Sequence, residues 1–430
     1  MSLAHRLIQN YFSSKGGELY LGGLPVTSLV ASYGTPIFVY DCAVIDRKLD
    51  LLRKALPGNF AISYSVKANP SKPILRHFVG RGCGLEVASA GEFCRALSEG
   101  CAPDKILFAG PGKTEAELEY VLSRAIGEIH VESLVEAKRI GKICRRLKRR
   151  AAIAVRVNPG GTVQGGAMRM GGKPAPFGVD EETLDEFLGQ VALESALDVQ
   201  GIHLFIGTQI LDHNLLMCQY RRGLDIARKA ARILNRPLKT VDFGGGLGIP
   251  YFESDAELDM EQWRRELAEM ASEIGEDPCL RGATFIVEPG RYLVGEAGIY
   301  IARVIDIKIS RGKKFLILDG GMNHHLAASG NLGQVIKRNF PMAIANKLDG
   351  QRTEVVDVVG PLCTPLDTLG RSVELVVAEV GDLVGIFQSG AYALSASPIG
   401  FLSHPRPAEL WLEDGRVSFV QARGAYSDFR

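Results

Sequence analysis

At 430 residues, 46% hydrophobic and 23% charged, the chain exceeds the ~250–300 residues at which one core stops growing, so two domains are expected. The 50 Lys and Arg against 49 Asp and Glu leave a net charge of +1, with no polyelectrolyte footprint for a nucleic-acid partner. Eight scattered cysteines make no CxxC pair and no Cys/His metal spacing, Met1–Arg6 leads into polar Gln9-Asn10, and no run approaches the ~20 apolar residues of a membrane span. The expectation is a soluble cytoplasmic protein with free thiols, no metal site and no membrane segment.

Residues 1–36, with Leu19-Tyr20-Leu21 beside Gly22-Gly23, are expected to add a strand to a β domain formed later in the chain. From 37 to 295 short apolar strands alternate with helical stretches. The expected strands are Phe60–Val66, Gly84–Ala88, Ile106–Ala109, Glu128–Val131, Ile153–Val157, Ile202–Ile206, Thr240–Phe243 and Thr284–Glu288. Ile45, Leu49, Leu52 and Leu56 mark one helical stripe. Ser89…Glu92, Thr114…Glu117 and Ser133…Glu136 have capping-box spacing, in which a hydroxyl accepts an orphan N–H and the Glu reaches back. Eight strands over ~250 residues fit a (β/α)8 TIM barrel; a doubly wound open sheet fits the same alternation. From 296 to 430 the pattern becomes mostly β, a sandwich or barrel, with strands at Ile299–Ile309, Phe315–Leu318, Glu354–Val359, Leu375–Val380, Leu383–Phe387 and Glu409–Trp411.

Three features at strand ends carry chemistry. Period-two alternation sends Phe60, Ile62, Tyr64 and Val66 under the helices and Ala61, Ser63, Ser65 and Lys67 to the interior. Small residues below Lys67 leave room above it, and a desolvated lysine at that end can condense with a carbonyl. After the seventh strand, Asp242-Phe243-Gly244-Gly245-Gly246 can turn successive N–H groups toward an anion. The eighth strand ends Glu288-Pro289-Gly290-Arg291, an inward carboxylate with an arginine one turn on. An amine for an aldehyde, a nest for a phosphate and a carboxylate for a ring nitrogen are what pyridoxal phosphate requires.

Tyr64–Asn69, Glu86–Glu92, Phe243–Gly246, Glu288–Arg291, Gly360-Pro361-Leu362-Cys363 and Gly390-Ala391-Tyr392 stand in the order found in the ornithine/diaminopimelate decarboxylase family, fold type III, which the chain resembles from residue 64 to 392. The resemblance implies an amino-acid α-decarboxylase and a homodimer with shared sites. Lys67 would form the Schiff base, and Gly244, Gly245, Gly246, Arg291 and Tyr392 would lie about the phosphate. Glu86, Arg156, Phe205 and Thr208 are further cofactor-binding residues on this reading. Glu288 would keep the ring nitrogen protonated, favouring decarboxylation over the chemistry of related racemases, which place an arginine there. Cys363 of the partner subunit would help protonate the quinonoid carbon. Two departures bear on substrate. Phe205 stands where the family usually has a histidine stacked on the ring, with His203 one layer deeper. Thr364-Pro365-Leu366-Asp367 replaces the glutamate that holds the distal amine of diaminopimelate, leaving Asp367 and Cys363 as the expected substrate contacts.

Met168-Arg169-Met170-Gly171-Gly172, Phe177-Gly178, Gly207-Thr208-Gln209, Gly320-Gly321-Met322, Gly360–Pro365 and Ser403-His404-Pro405 resemble one branch of the family. That branch contains the butirosin-pathway decarboxylase of glutamate on an acyl-carrier protein, and decarboxylases beside exosortase systems. It implies a carrier-tethered or otherwise unusual amino acid. The alternatives are a diaminopimelate decarboxylase making lysine, a racemase, and a non-catalytic regulator in which Lys67 or the glycine loop would be degraded; both are intact.

Overall fold

The computed structural model describes residues 2–160, 168–169, 174–205, 207–332, 334 and 337–429, the side chains of 168 and 169 excepted. Ile206 and the Met170-Gly171-Gly172 part of the branch motif lie outside them. The chain divides into two units: Asp50–Ile249 with Glu257–Gly290, and Met1–Leu49 with Pro250–Ala256 and Arg291–Arg430.

The first unit is a closed parallel barrel of eight strands. In chain order these are β1 (Phe60–Ser65), β2 (Gly84–Val87), β3 (Ile106–Phe108), β4 (Glu128–Val131), β5 (Ala151–Asn158), β6 (Leu197–Leu204), β7 (Thr240–Asp242) and β8 (Thr284–Val287). β8 pairs with β1, and β4 pairs with β5, so the ring closes and the open-sheet alternative falls away. The alternation expected for β1 is visible. Tyr64 is fully buried and stacks on Phe78 of the helix Lys72–Gly80 at 4.2 Å, while Ser65 turns inward to the β2 carboxylate of Glu86. Phe243 is held between Tyr220 (4.3 Å) and Phe285 (5.8 Å) behind β7, each fully buried ring contributing roughly 2 kcal/mol through its burial. All three expected helix caps form, but only Thr114–Glu117 closes as a full box. Glu92 and Glu136 reach one residue further back, to the N–H groups of Ala88 and Glu132. A 3.6-residue turn following an extended strand brings that earlier amide within the glutamate's reach.

In the second unit a mixed sheet runs Thr368–Val376, Thr353–Val359, Lys313–Leu318, Gly298–Ser310, Ile37–Asp41, Ala408–Glu413, Arg416–Gln421, with Leu383–Ile386 and Met342–Ile344 alongside. Ile37–Asp41 is antiparallel to Gly298–Ser310 and parallel to Ala408–Glu413. The helix Leu3–Tyr11 packs into this unit's core, where Leu3, Leu7, Leu19 and Leu21 meet Ile299 and Leu410; the short strands Ser13–Lys15, Glu18–Leu21 and Leu24–Pro25 form a separate three-stranded sheet, not an added strand of the larger one, and Ser13–Lys15 is exposed. The strand expected at Leu375–Val380 instead occupies Thr368–Val376. Its first half includes Gly370 and a left-handed Ser372 (φ 47°), turn-like locally, and pairing with Thr353–Val359 supplies the hydrogen bonds. No helix among the described residues is long and apolar enough to cross a membrane.

Candidate active site

The C-terminal ends of the barrel strands assemble the site from short-range features of the chain. β1 passes into a single 3-10 turn, Val66–Ala68, which lifts Lys67 over the barrel. Its Nζ lies 2.8 and 3.0 Å from the two carboxylate oxygens of Glu86, which also accept from Ser65 Oγ at 2.6 Å. The Lys67 side chain is 41% exposed and that of Glu86 only 1%, so a buried anion holds a reachable amine in place. On β5, Arg156 donates to Glu132 at 2.8 Å and stacks on Phe177 at 4.9 Å. Glu132 in turn accepts the N–H groups of Gly110 and Gly178, tying three loops to one carboxylate.

The glycine loop has three distinct jobs. Gly244 is left-handed (φ 68°); its N–H donates to Asp242 at 2.7 Å and its carbonyl accepts from Glu288 at 2.7 Å. That amide is therefore committed inside the loop, which corrects the expectation that it faces a phosphate. Gly245 and Gly246 have N–H groups with no acceptor among the described residues. A Cβ on Gly245 would meet the Glu288 carbonyl at 2.9 Å, and Gly246 sits at φ 107°, so both must be glycine. The loop is braced by the segment after β6: Ile210 donates to Gly246 and accepts from Gly248, and Gln209 bonds Ile249 through both ends of its amide. Phe205 packs against Gly244 and Gly245, while Thr208 takes part in a two-residue pairing with 168–169 and makes no described side-chain bond to the loop.

Glu288 is 4% exposed, with Oε1 lacking any hydrogen-bond partner among the described residues. Below it lies a cluster on alternate positions of β4, β6 and β7. His130 and His203 stack at 4.2 Å, His203 Nε2 is 3.5 Å from Glu288, and His130 is 3.9 Å from Glu288, 3.7 Å from Asp242 and 3.4 Å from Glu128. Burial, then His130 and Arg156, push the His203 imidazole well below its usual range, so it is neutral. Burial and the neighbouring Glu288 carboxylate push the Asp242 carboxyl well above its usual range. Sequence reasoning passed over His130 and Glu132 and named Asp242 only as the start of the glycine loop, although Glu128, His130 and Glu132 alternate with apolar Ile129 and Val131 along β4 and the residue after it, a period-two signal for inward polar residues.

The remaining expected residues belong to the other unit. Arg291 donates to the Tyr251 hydroxyl at 2.9 Å and lies 4.8 Å from the Tyr392 ring centre; Tyr392 holds a left-handed φ of 53°, a strained placement for a bulky side chain. Tyr251 had no signal beyond its position five residues after Gly246. Cys363 is exposed. Asp367, expected at the substrate, is 3% exposed, and its two oxygens accept the backbone N–H groups of Met322 (2.6 Å) and Leu362 (2.9 Å). Buried and bonded to two backbone amides, it organises the turn that contains Cys363.

Comparison with known proteins places these features. Residues 42–295 match the family model of the pyridoxal-dependent decarboxylase, pyridoxal binding domain. The chain is 35% identical to the L-glutamyl-[BtrI acyl-carrier protein] decarboxylase of Niallia circulans, covering 94% of both chains. It is 31% identical to the diaminopimelate decarboxylase of Zymomonas mobilis over 97% of both. Among solved structures, the diaminopimelate decarboxylase of M. jannaschii in complex with L-lysine is similar with a TM-score of 0.89 at 26% identity, covering 97% of this chain and 96% of that one.

Proposed function

The chain belongs to the family of pyridoxal-dependent decarboxylases, and on that premise we propose that it removes the α-carboxylate of an amino acid tethered to an acyl-carrier protein. Its cofactor is pyridoxal phosphate, and the residues fit that group: two glycine amides without acceptors among the described residues, a carboxylate at the end of β8 and a reachable lysine amine. Lys67 would bind the aldehyde, the Gly245 and Gly246 amides would hold the phosphate, for which the family resemblance adds Arg291 and Tyr392, and Glu288 would hold the proton at the ring nitrogen. When bound, the cofactor supplies a sink for the electron pair left on the α-carbon as carbon dioxide departs. Glu86 keeps the Lys67 side chain oriented, and Arg156, fixed by Glu132 and Phe177, lends positive charge on the β5 side. Phe205 offers an aromatic face and no proton. Cys363 of the partner subunit donates the proton that replaces the carboxylate, in a homodimer with shared sites. A cytoplasmic location is supported by the absence of disulfides among the eight cysteines.

One observation carries the substrate assignment. Asp367 is 3% exposed and faces the backbone amides of Met322 and Leu362, so this turn presents no exposed carboxylate to the distal ammonium of free diaminopimelate. The similarity to the glutamyl-carrier-protein decarboxylase supports the same choice. A second reading, a diaminopimelate decarboxylase making lysine, is favoured by the several relatives with that activity. Intact Lys67 and glycine loop weigh against a non-catalytic regulator, and Glu288 against a racemase. Borohydride reduction of the loaded protein followed by peptide mapping should place the adduct on Lys67; an adduct on another lysine defeats the site assignment. Release of carbon dioxide from glutamyl-carrier thioester should exceed that from free diaminopimelate by roughly a hundredfold, and the reverse order would make the second reading correct.

A further inference from the structure

We propose that Tyr251 is a positioning residue for Arg291, holding in place a guanidinium that no carboxylate neutralises so that it can receive an oxyanion. The inference rests on the decarboxylase reading, in which that oxyanion is the cofactor phosphate or a carboxylate of the substrate. Arg291 opens the helical turn Arg291–Val294. Its Nη1 donates to the Tyr251 hydroxyl at 2.9 Å, and its guanidinium carbon lies 5.4 Å from the Tyr251 ring centre and 4.8 Å from that of Tyr392. These are its side-chain partners among the described residues, and none is an acid. The contrast with other inward cations is plain: Arg156 pairs with Glu132, Lys48 with Glu296 and Lys113 with Glu136. A guanidinium presents five N–H donors in a fixed planar fork that matches phosphate and carboxylate. A phenol oxygen and two ring faces orient that fork without cancelling its charge.

Tyr251 is itself held from three sides. It is 5% exposed, and its ring packs on Phe340 at 4.8 Å. The Asp255 carboxylate accepts the backbone N–H groups of Tyr251 at 3.0 Å and Phe252 at 3.2 Å. Gln388, fully buried, donates through its side-chain amide to the carbonyl of Pro250, the residue before Tyr251. Gln388 and Tyr392 both hold a left-handed φ, 57° and 53°, which non-glycine residues keep only where their neighbours over-determine it.

The neighbours here are the turn that carries Arg291 and the residues just after it. Ser389 donates to the Gly298 carbonyl at 2.8 Å and Gly390 to that of Gly295 at 3.0 Å; Gly295 in turn donates to the Arg291 carbonyl at 2.8 Å. A Cβ on Gly390 would meet the Val294 carbonyl oxygen at 1.7 Å, so the two segments touch through backbone. Residues 388–392 therefore grip the Tyr251 segment at one end and lie on the Arg291 turn along their length. Tyr251, Arg291 and Tyr392 form one frame. The gain is preorganisation: a long arginine side chain that would lose rotamer freedom on binding has lost it beforehand.

Tyr251→Phe keeps the ring and its packing and removes the acceptor. Affinity of the apoprotein is measured by absorbance for pyridoxal phosphate and for pyridoxal, the same aldehyde without the phosphate, with thermal unfolding as the check on folding. KM for glutamyl-carrier thioester is measured on cofactor-saturated protein. With phosphate as the anion, the variant should bind pyridoxal phosphate roughly tenfold more weakly and pyridoxal as before. With a substrate carboxylate as the anion, both affinities should hold and KM should rise roughly tenfold. In either case Arg291→Gln should show the same selectivity, and adding Tyr251→Phe to it should cost nothing more, because Tyr251 acts through the arginine. Equal losses for the two aldehydes, no change in any of the three measurements, or additive losses in the double variant overturn the proposal. Failure of the parent protein to bind pyridoxal phosphate would sink the function proposed above. Inorganic phosphate would then decide the pairing, its affinity for the apoprotein falling in Tyr251→Phe if the proposal holds and staying level if it does not.

Discussion

A carboxylate that is 4% exposed keeps its charge only if a cation or hydrogen-bond donor meets it, and Glu288 has one oxygen that no described group satisfies. Glu288→Gln keeps the shape and removes the charge. The variant should still bind pyridoxal phosphate, read from its absorbance, yet decarboxylate roughly a hundredfold or more slowly. A near-normal rate would show that the proton is held elsewhere. Lys67, Gly245, Gly246 and Glu288 stood out in the sequence by chemical type at expected strand ends, and that is where the fold puts them. The role of Asp367 was not, since only the fold reveals which amides reach its oxygens.

At the scale of elements, the loops after β3 and β4 are joined by a single buried lysine. Lys113 donates to the carbonyls of Gly110 and His130 and to Glu136, each at 2.7 Å, and its side chain is 1% exposed. Its three protons are all used, which is the condition under which a buried ammonium is tolerated. Glu136 also accepts the Glu132 N–H, so the lysine indirectly sets the residue that orients Arg156. Lys113→Met would strand the Glu136 charge and should cost about 3 kcal/mol in denaturant unfolding. The double variant Lys113→Met/Glu136→Gln should regain much of that loss; full stability in the single variant would contradict this account. The capping-box spacing predicted where these helices start, and the strand geometry decided which amide each glutamate reaches.

For the whole molecule, the proposed homodimer with shared sites makes a prediction that no single-chain site would. Lys67→Ala and Cys363→Ala, each strongly impaired alone, are mixed under subunit exchange. Random pairing puts one intact site in each heterodimer, so activity should return to at most about a quarter of the parent value. No recovery, with exchange verified by mass-tagged subunits, would mean that each chain builds its own site.

The alternation of eight strands and helices, the inward face of β1 and the strand-end positions of Lys67, the glycine loop and Glu288 were determined by local pattern, because period-two burial and strand-end residue type are properties of short segments. The hairpin at Asp414-Gly415, both left-handed (φ 49° and 71°), also carried a local signal that had been passed over, and with it the strand Arg416–Gln421. Tertiary structure alone decided that the sheet closes, that Ile37–Asp41 pairs with strands some 260 and 370 positions away, and that Glu128, His130, His203 and Asp242 meet beneath Glu288. Those outcomes depend on hydrogen bonds and ion pairs between distant segments, whose partners no short window of the chain contains.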